Sequence, residues 1–138
     1  RQPHPGTGVT AKGKPTHALD IEALCRAVGV RRVRVVDPYD LAQTERVLRE
    51  EVGAREPSVV IARRSCVLLP EAERRPPLSV DKEKCTACGA CLLLGCPAIW
   101  QDEEGKAEIS PLLCTGCGLC AQVCPRGAII PRPEGEGT

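Results

Sequence analysis

The sequence predicts two unlike parts in one chain: a partial α/β parallel-sheet layer, followed by a small α+β module rich in cysteine. Three observations lead there. Helix-period and strand-type apolar runs alternate through the first 66 residues, three prolines interrupt the pattern over residues 67–79, and eight of the ten cysteines then fall in two matching copies.

Ile21, Leu24, Cys25 and Val28 stand at the i, i+3, i+4 and i+7 positions of one helical face, and Gly29 follows as a carboxy-terminal cap. A short strand fits residues 33–36. Asp37 and Pro38 end it and open the next helix, with Leu41, Leu48 and Val52 on its apolar side and Gly53 closing it. Residues 58–62, Ser-Val-Val-Ile-Ala, are a near-continuous apolar run of the kind expected for a strand covered on both faces. Two strands and two helices are too few to cover a parallel sheet, so residues 1–66 read as the carboxy-terminal portion of a larger α/β domain. The absence of Met fits a processed product or a fragment.

Residues 67–79 combine the three prolines with dense charge and read as a semi-extended linker. Residues 80–131 form the second domain, and 132–138, mostly Pro, Gly and Glu, a tail. Within the second domain, the run beginning Cys85-Thr86-Ala87-Cys88-Gly89-Ala90-Cys91 aligns with Cys114-Thr115-Gly116-Cys117-Gly118-Leu119-Cys120. Cys96-Pro97 and Cys124-Pro125 complete the two copies, with one extra residue in the first. Two copies imply pseudo-twofold symmetry. Between them, residues 100–109 read as a hairpin turning near Glu104 and Gly105.

Composition narrows the chemistry. The 138 residues contain one Trp, one Tyr and no Phe, which excludes an aromatic core and any aromatic platform for nucleic-acid bases. Residues 1–79 hold 14 Lys+Arg and 10 Asp+Glu, net +4, while residues 80–138 hold 5 and 8, net −3. Charge so dispersed describes a solvated surface, not a nucleic-acid footprint. No apolar run approaches the roughly 18 residues of a membrane span, and no secretory signal opens the chain, so a cytoplasmic setting is expected.

The motifs read CxxCxxCxxxxCP and CxxCxxCxxxCP. Three thiolates spaced by two residues can wrap one face of an iron–sulfur cubane, whereas the fourth, turned away at its proline, ligates the other cluster. The expected sets are therefore Cys85, Cys88, Cys91 and Cys124 for one 4Fe-4S cluster, and Cys114, Cys117, Cys120 and Cys96 for the second. This makes the second part a small α+β bacterial-type two-cluster ferredoxin-like domain. Gly89, Gly116, Gly118, Ala87 and Ala90 are small enough to let backbone N–H groups reach the sulfurs. Val80, Leu92, Ile99, Leu112, Ile129 and Ile130 are expected to exclude water. With both clusters bound, the domain would carry a charge of about −7, which favours a basic docking partner and a low reduction potential.

Zinc is the poorer reading, because structural zinc sites take two cysteine pairs and not two triplets each followed by Cys-Pro. Disulfides are poorer still, since cysteines two residues apart pair badly and nothing suggests export. Cys25 and Cys66 lie outside the motifs and read as packing residues. His17 is assigned no ligand role. Residues 8–15 approach a phosphate loop but end in Pro15 where Ser or Thr is needed, and residues 6–11 mimic a dinucleotide fingerprint with no strand before them.

Taken together, these residues resemble the carboxy-terminal part of the alpha subunit of the indolepyruvate ferredoxin oxidoreductase family. The likeness rests on residues 2–8 (Gln-Pro-His-Pro-Gly-Thr-Gly), 20–22, 35–41 (Val-Val-Asp-Pro-Tyr-Asp-Leu), 57–63 and Cys66, on the cysteine copies, and on residues 95–99 (Gly-Cys-Pro-Ala-Ile). The resemblance implies a thiamine-diphosphate enzyme with Mg2+. In that family a 2-oxo acid such as indolepyruvate is oxidatively decarboxylated, its acyl group passes to coenzyme A, and electrons leave through the clusters to an external ferredoxin. A separate beta subunit is the implied partner; neither nucleic acid nor membrane is. His4, Pro5 and Gly6 resemble the stretch that follows the family's cofactor motif, and so are expected near the thiamine pocket. The chain departs from the family in having no Gly-Asp pair and no Asn with which to hold Mg2+ and diphosphate. It is therefore expected to bind clusters without decarboxylating anything alone. A free-standing two-cluster electron carrier with an α/β docking domain is the alternative.

Overall fold

The computed structural model describes residues 5–67, 69 and 75–132. The chain divides into two compact units, Arg1–Pro70 and Glu71–Thr138. The expected linker over 67–79 straddles that division, and several of its residues, with most of the expected tail, lie outside the described residues.

The first unit runs through a short 3-10 turn, Pro5–Thr7, then α1 (Ile21–Ala27), β1 (Arg32–Val36), α2 (Leu41–Val52) and β2 (Ser58–Ala62). Each helix opens on an aspartate whose Oδ1 accepts the N–H three residues on: Asp20 from Ala23 at 3.0 Å and Asp40 from Gln43 at 2.9 Å. The second helix thus begins at Asp40 and not at Asp37-Pro38, which form the turn before it; an aspartate side chain satisfies the orphan amides and Pro38 supplies none. Gly29, at φ +93°, turns the chain out of α1. β1 and β2 pair in parallel, Val33 opposite Val59 and Val36 opposite Ala62.

Val33 and Val36 are the buried apolar residues of this layer. Beside them Glu51, on α2, is also buried, its carboxylate held by the Arg32 guanidinium at 2.7 and 2.9 Å and by Arg34 Nε at 2.9 Å. Among the described residues β2 is covered only in part. Residues 58–61 are half-buried and Ala62 exposed, because β2 has one strand neighbour and α2 packed against it. The apolar stripe of α1 is open as well, with Val28 72% exposed.

The second unit comprises β3 (Leu78–Val80), a 3-10 turn (Leu92–Leu94), β4 (Ile99–Gln101), β5 (Ala107–Ile109), α3 (Leu119–Val123) and β6 (Ile129–Pro131). β3 begins at Leu78, two residues before the expected domain start and inside the expected linker, because its pairing partner lies at the far end of the module. The strand before the first cysteine copy pairs with the strand after the second, Val80 opposite Ile129. The strand before the second pairs with the strand after the first, Ile109 opposite Ile99. This is the pseudo-twofold relation implied by the repeat. β4 and β5 form the expected hairpin, closed by the Gly105 N–H to the Asp102 carbonyl at 3.0 Å, with Gly105 at φ +77°. The core gathers Leu78, Ala107, Ile109 and Ile129 with Cys91 and Cys120. No helix among the described residues is long and apolar enough to cross a membrane.

Candidate metal centre

The backbone repeats along with the sequence. The Cys85 N–H bonds the Asp81 carbonyl and the Cys114 N–H the Ser110 carbonyl, both at 3.0 Å. Ala87 and Gly116 both take positive φ, at +55° and +68°, as do Gly89 and Gly118 at +72° and +79°. The left-handed residues keep each loop folded back on itself, and the thiols of the first face one space. The extra residue of the first copy is Gly95, at φ +62°, which ends the 3-10 turn; the second copy forms α3 over the corresponding stretch.

One cavity is walled by Cys85, Cys88, Cys91 and Cys124. The triplet of the first copy thus meets the last cysteine of the second. Ala87, Gly89 and Ala90 line the same space, as do Val80, Leu92 and Ile129, three of the residues expected to exclude water. Leu112, expected among them, is 83% exposed on the turn after β5 and does not line this cavity. Sequence reasoning missed Arg126, which lines the cavity from just beyond Cys124-Pro125.

The electrostatics of the thiols follow from crowding and backbone donors. Burial pushes the Cys91 thiol up, and the thiols of Cys124, Cys85 and Cys88 push the same way once ionised. Burial, with Cys117 and Cys114 beside it, raises Cys120 to about 11. Cys124 goes the other way: burial opposes its ionisation, but the N–H groups of Ala128, Arg126, Ile129 and Gly127 outweigh it, Ala128 lying 3.3 Å from Sγ. Cys114 Sγ accepts the N–H groups of Leu78 and Gly116, each at 3.4 Å. Thiols that raise one another's pKa need a cation to be held deprotonated together. Among the described residues no three His, Cys, Asp or Glu side chains converge to hold one ion; the cysteines of the cavity are spread around its wall instead. An all-sulfur donor set around a space, with N–H groups aimed at sulfur, fits a polynuclear iron–sulfur group.

Of the residues expected near a thiamine pocket, His4 lies outside the described residues and Pro5 begins the short 3-10 turn. Gly6 lines an open groove of about 520 Å3 with Asp20, Ile21, Ala62 and Arg63, at the carboxy end of β2. Cys25 is half-buried and Cys66 exposed.

The second unit is thus a ferredoxin-like iron–sulfur module, and residues 107–130 match the family of 4Fe-4S binding domains. Over 98% of its length the chain is similar to indolepyruvate oxidoreductase subunit IorA, 45% identical to that of Pyrococcus horikoshii over 143 residues and 43% to that of Methanothermobacter marburgensis over 136. The resemblance drawn from the sequence is borne out on that scale. The chain spans 22% of the length of these relatives. Pyruvate synthase subunit PorD of Thermotoga maritima is 49% identical over 59 residues, 41% of this chain and 59% of that protein.

Proposed function

We propose that the chain is the electron-relay portion of a 2-oxoacid:ferredoxin oxidoreductase of the indolepyruvate type. The observation that carries this reading is the cavity in which Cys124 joins Cys85, Cys88 and Cys91. On that basis these four hold one 4Fe-4S cluster. By the pseudo-twofold relation, Cys114, Cys117, Cys120 and Cys96 hold the other. The clusters supply reversible one-electron storage at low potential. The protein's own part is to keep eight thiolates ionised, to aim N–H groups at them, and to exclude water with Val80, Leu92 and Ile129.

In the longer protein, electrons released by oxidative decarboxylation of an aryl 2-oxo acid, with acyl transfer to coenzyme A, would pass through this module to an external ferredoxin, with a beta subunit as partner. The first unit would contribute to the domain that binds thiamine diphosphate and Mg2+, with His4, Pro5 and Gly6 near the pocket. The groove beside Gly6 supports this, because ligands of open parallel sheets bind beyond the carboxy ends of the strands. Alone, with neither Asn nor a Gly-Asp pair, the chain is inactive in decarboxylation.

Anaerobically purified chain is expected to carry about eight irons and a broad visible absorption that bleaches with dithionite. Cys124→Ala should remove the cluster of Cys85, Cys88 and Cys91, and Cys96→Ala the cluster of Cys114, Cys117 and Cys120. Loss in each variant of the cluster adjacent in sequence would overturn the crossed ligation. Colourless, iron-free, folded protein would overturn the function.

A further inference from the structure

The two cysteine loops are near-copies and each has chain laid against it, but a Cβ on Gly105 would lie 3.8 Å from the Cβ of Ala87 in the first loop, whereas the second loop is approached more closely. Gly116 stands at φ +68°, and a Cβ on it would lie 2.6 Å from the Pro76 carbonyl oxygen and 2.7 Å from that of Arg75. The backbone of residues 75–76 therefore runs directly over the second loop. Ala87, at the matching place in the first loop, carries a real Cβ at φ +55°, so the loop conformation itself tolerates alanine. What excludes a side chain at Gly116 is the crossing segment.

That segment is pinned on both sides of the crossing. The Pro77 carbonyl accepts the Arg132 N–H at 3.0 Å, and the Leu78 N–H donates to Cys114 Sγ at 3.4 Å. Leu78 is buried in the module core. We infer that residues 75–78 form a strap that shields the Cys114 thiolate set and raises the reduction potential of the cluster it would hold. The inference rests on the proposed ligation.

The physical basis is the charge on sulfur. An N–H donated to a thiolate offsets negative charge and favours the reduced, more negative cluster, so it raises the midpoint potential. The strap adds one such donor to Cys114 beyond the loop's own Gly116 N–H, while in the other proposed set the Ala128 N–H serves Cys124. It also excludes water from that side of the loop. Leu78 is a positioning residue here, acting through a main-chain N–H that no side-chain substitution removes, save proline.

The test uses the full chain with both clusters loaded, and reads each midpoint by electron paramagnetic resonance during a redox titration. The Cys114 set is identified as the signal that survives Cys124→Ala. Leu78→Pro deletes the donor and is expected to lower that midpoint while leaving the other in place. Leu78→Ala keeps the N–H, loses the packing, and should leave both midpoints unmoved. Gly116→Ala pushes the strap off, and should release iron from the Cys114 set to a chelator several-fold faster, whereas Ala87→Gly should not change release from the Cys85 set. If Leu78→Pro does not load fully, the chelator pair decides. Unmoved or jointly moved midpoints, or equal release rates, overturn the strap. Absence of two clusters in the unsubstituted chain overturns the ligation instead.

Discussion

The two units reach order by different routes. The first has five-residue strands in a parallel pair, a capped twelve-residue helix, and a buried carboxylate clasped by two guanidinium groups. Among the described residues the second has six elements, of which none exceeds five residues, and its core includes two of the cysteines. Side-chain packing and ion pairs organise the first; loops folded around thiols organise the second. A module with so little regular structure would gain its stability from the proposed clusters, because binding free energy at such a site is folding free energy. The first unit should be indifferent to metal.

Iron removal breaks the comparison most severely. Chelation under reducing conditions is expected to abolish hydrogen-exchange protection across residues 78–131, while protection of β1 and β2 changes little. Equal loss in both units would refute the contrast. Next in size is Val36→Ala, at a site 2% exposed, which should cost the first unit about 2 kcal/mol and leave iron content unaltered.

Glu51→Gln removes the charge that Arg32 and Arg34 share and should lower the unfolding midpoint of the first unit. The two guanidinium groups hold the Glu51 carboxyl at about 2, below its ordinary 4.5, first by direct hydrogen bonds from Arg32 and then from Arg34. A depressed carboxyl stabilises fully above about pH 4.5, and its contribution disappears as the pH falls through about 2. Acid titration of first-unit stability should therefore be flatter in Glu51→Gln across that window. The smallest effect is expected for Asp40→Ala, which deletes the cap on α2 and should cost about 1 kcal/mol, visible as fraying of the first turn in hydrogen exchange.

The same contrast explains what could be read in advance. The cysteine loops were legible, because metal-ligand spacing is local and chemically narrow. So was the hairpin, whose turn at Asp102 and Gly105 lies within ten residues of both strands. β3 was not: three residues beside Pro76 and Pro77 carry no periodic signal, and their partner is some fifty residues on. Asp40 was passed over for Pro38, since both are helix-opening residues and only geometry chooses between them. The ring of Arg32, Arg34 and Glu51 joins a strand to a helix through charges that read as solvated surface. Full covering of β2 was expected from its apolar run, yet a strand's own residues do not say how many neighbours it has within the described chain.

The pairing of β3 with β6 ties the start of the module to its end, and this bears on biogenesis. On the ribosome the β4–β5 hairpin can form as soon as it emerges, but Val80 must wait for Ile129, and Cys91 for Cys124. On the proposed ligation, at about 5–20 residues per second, three free thiols would wait roughly 2–7 s for their fourth. A nascent chain in this interval is open to oxidation and to stray metals, so cofactor delivery should follow translation and not accompany it.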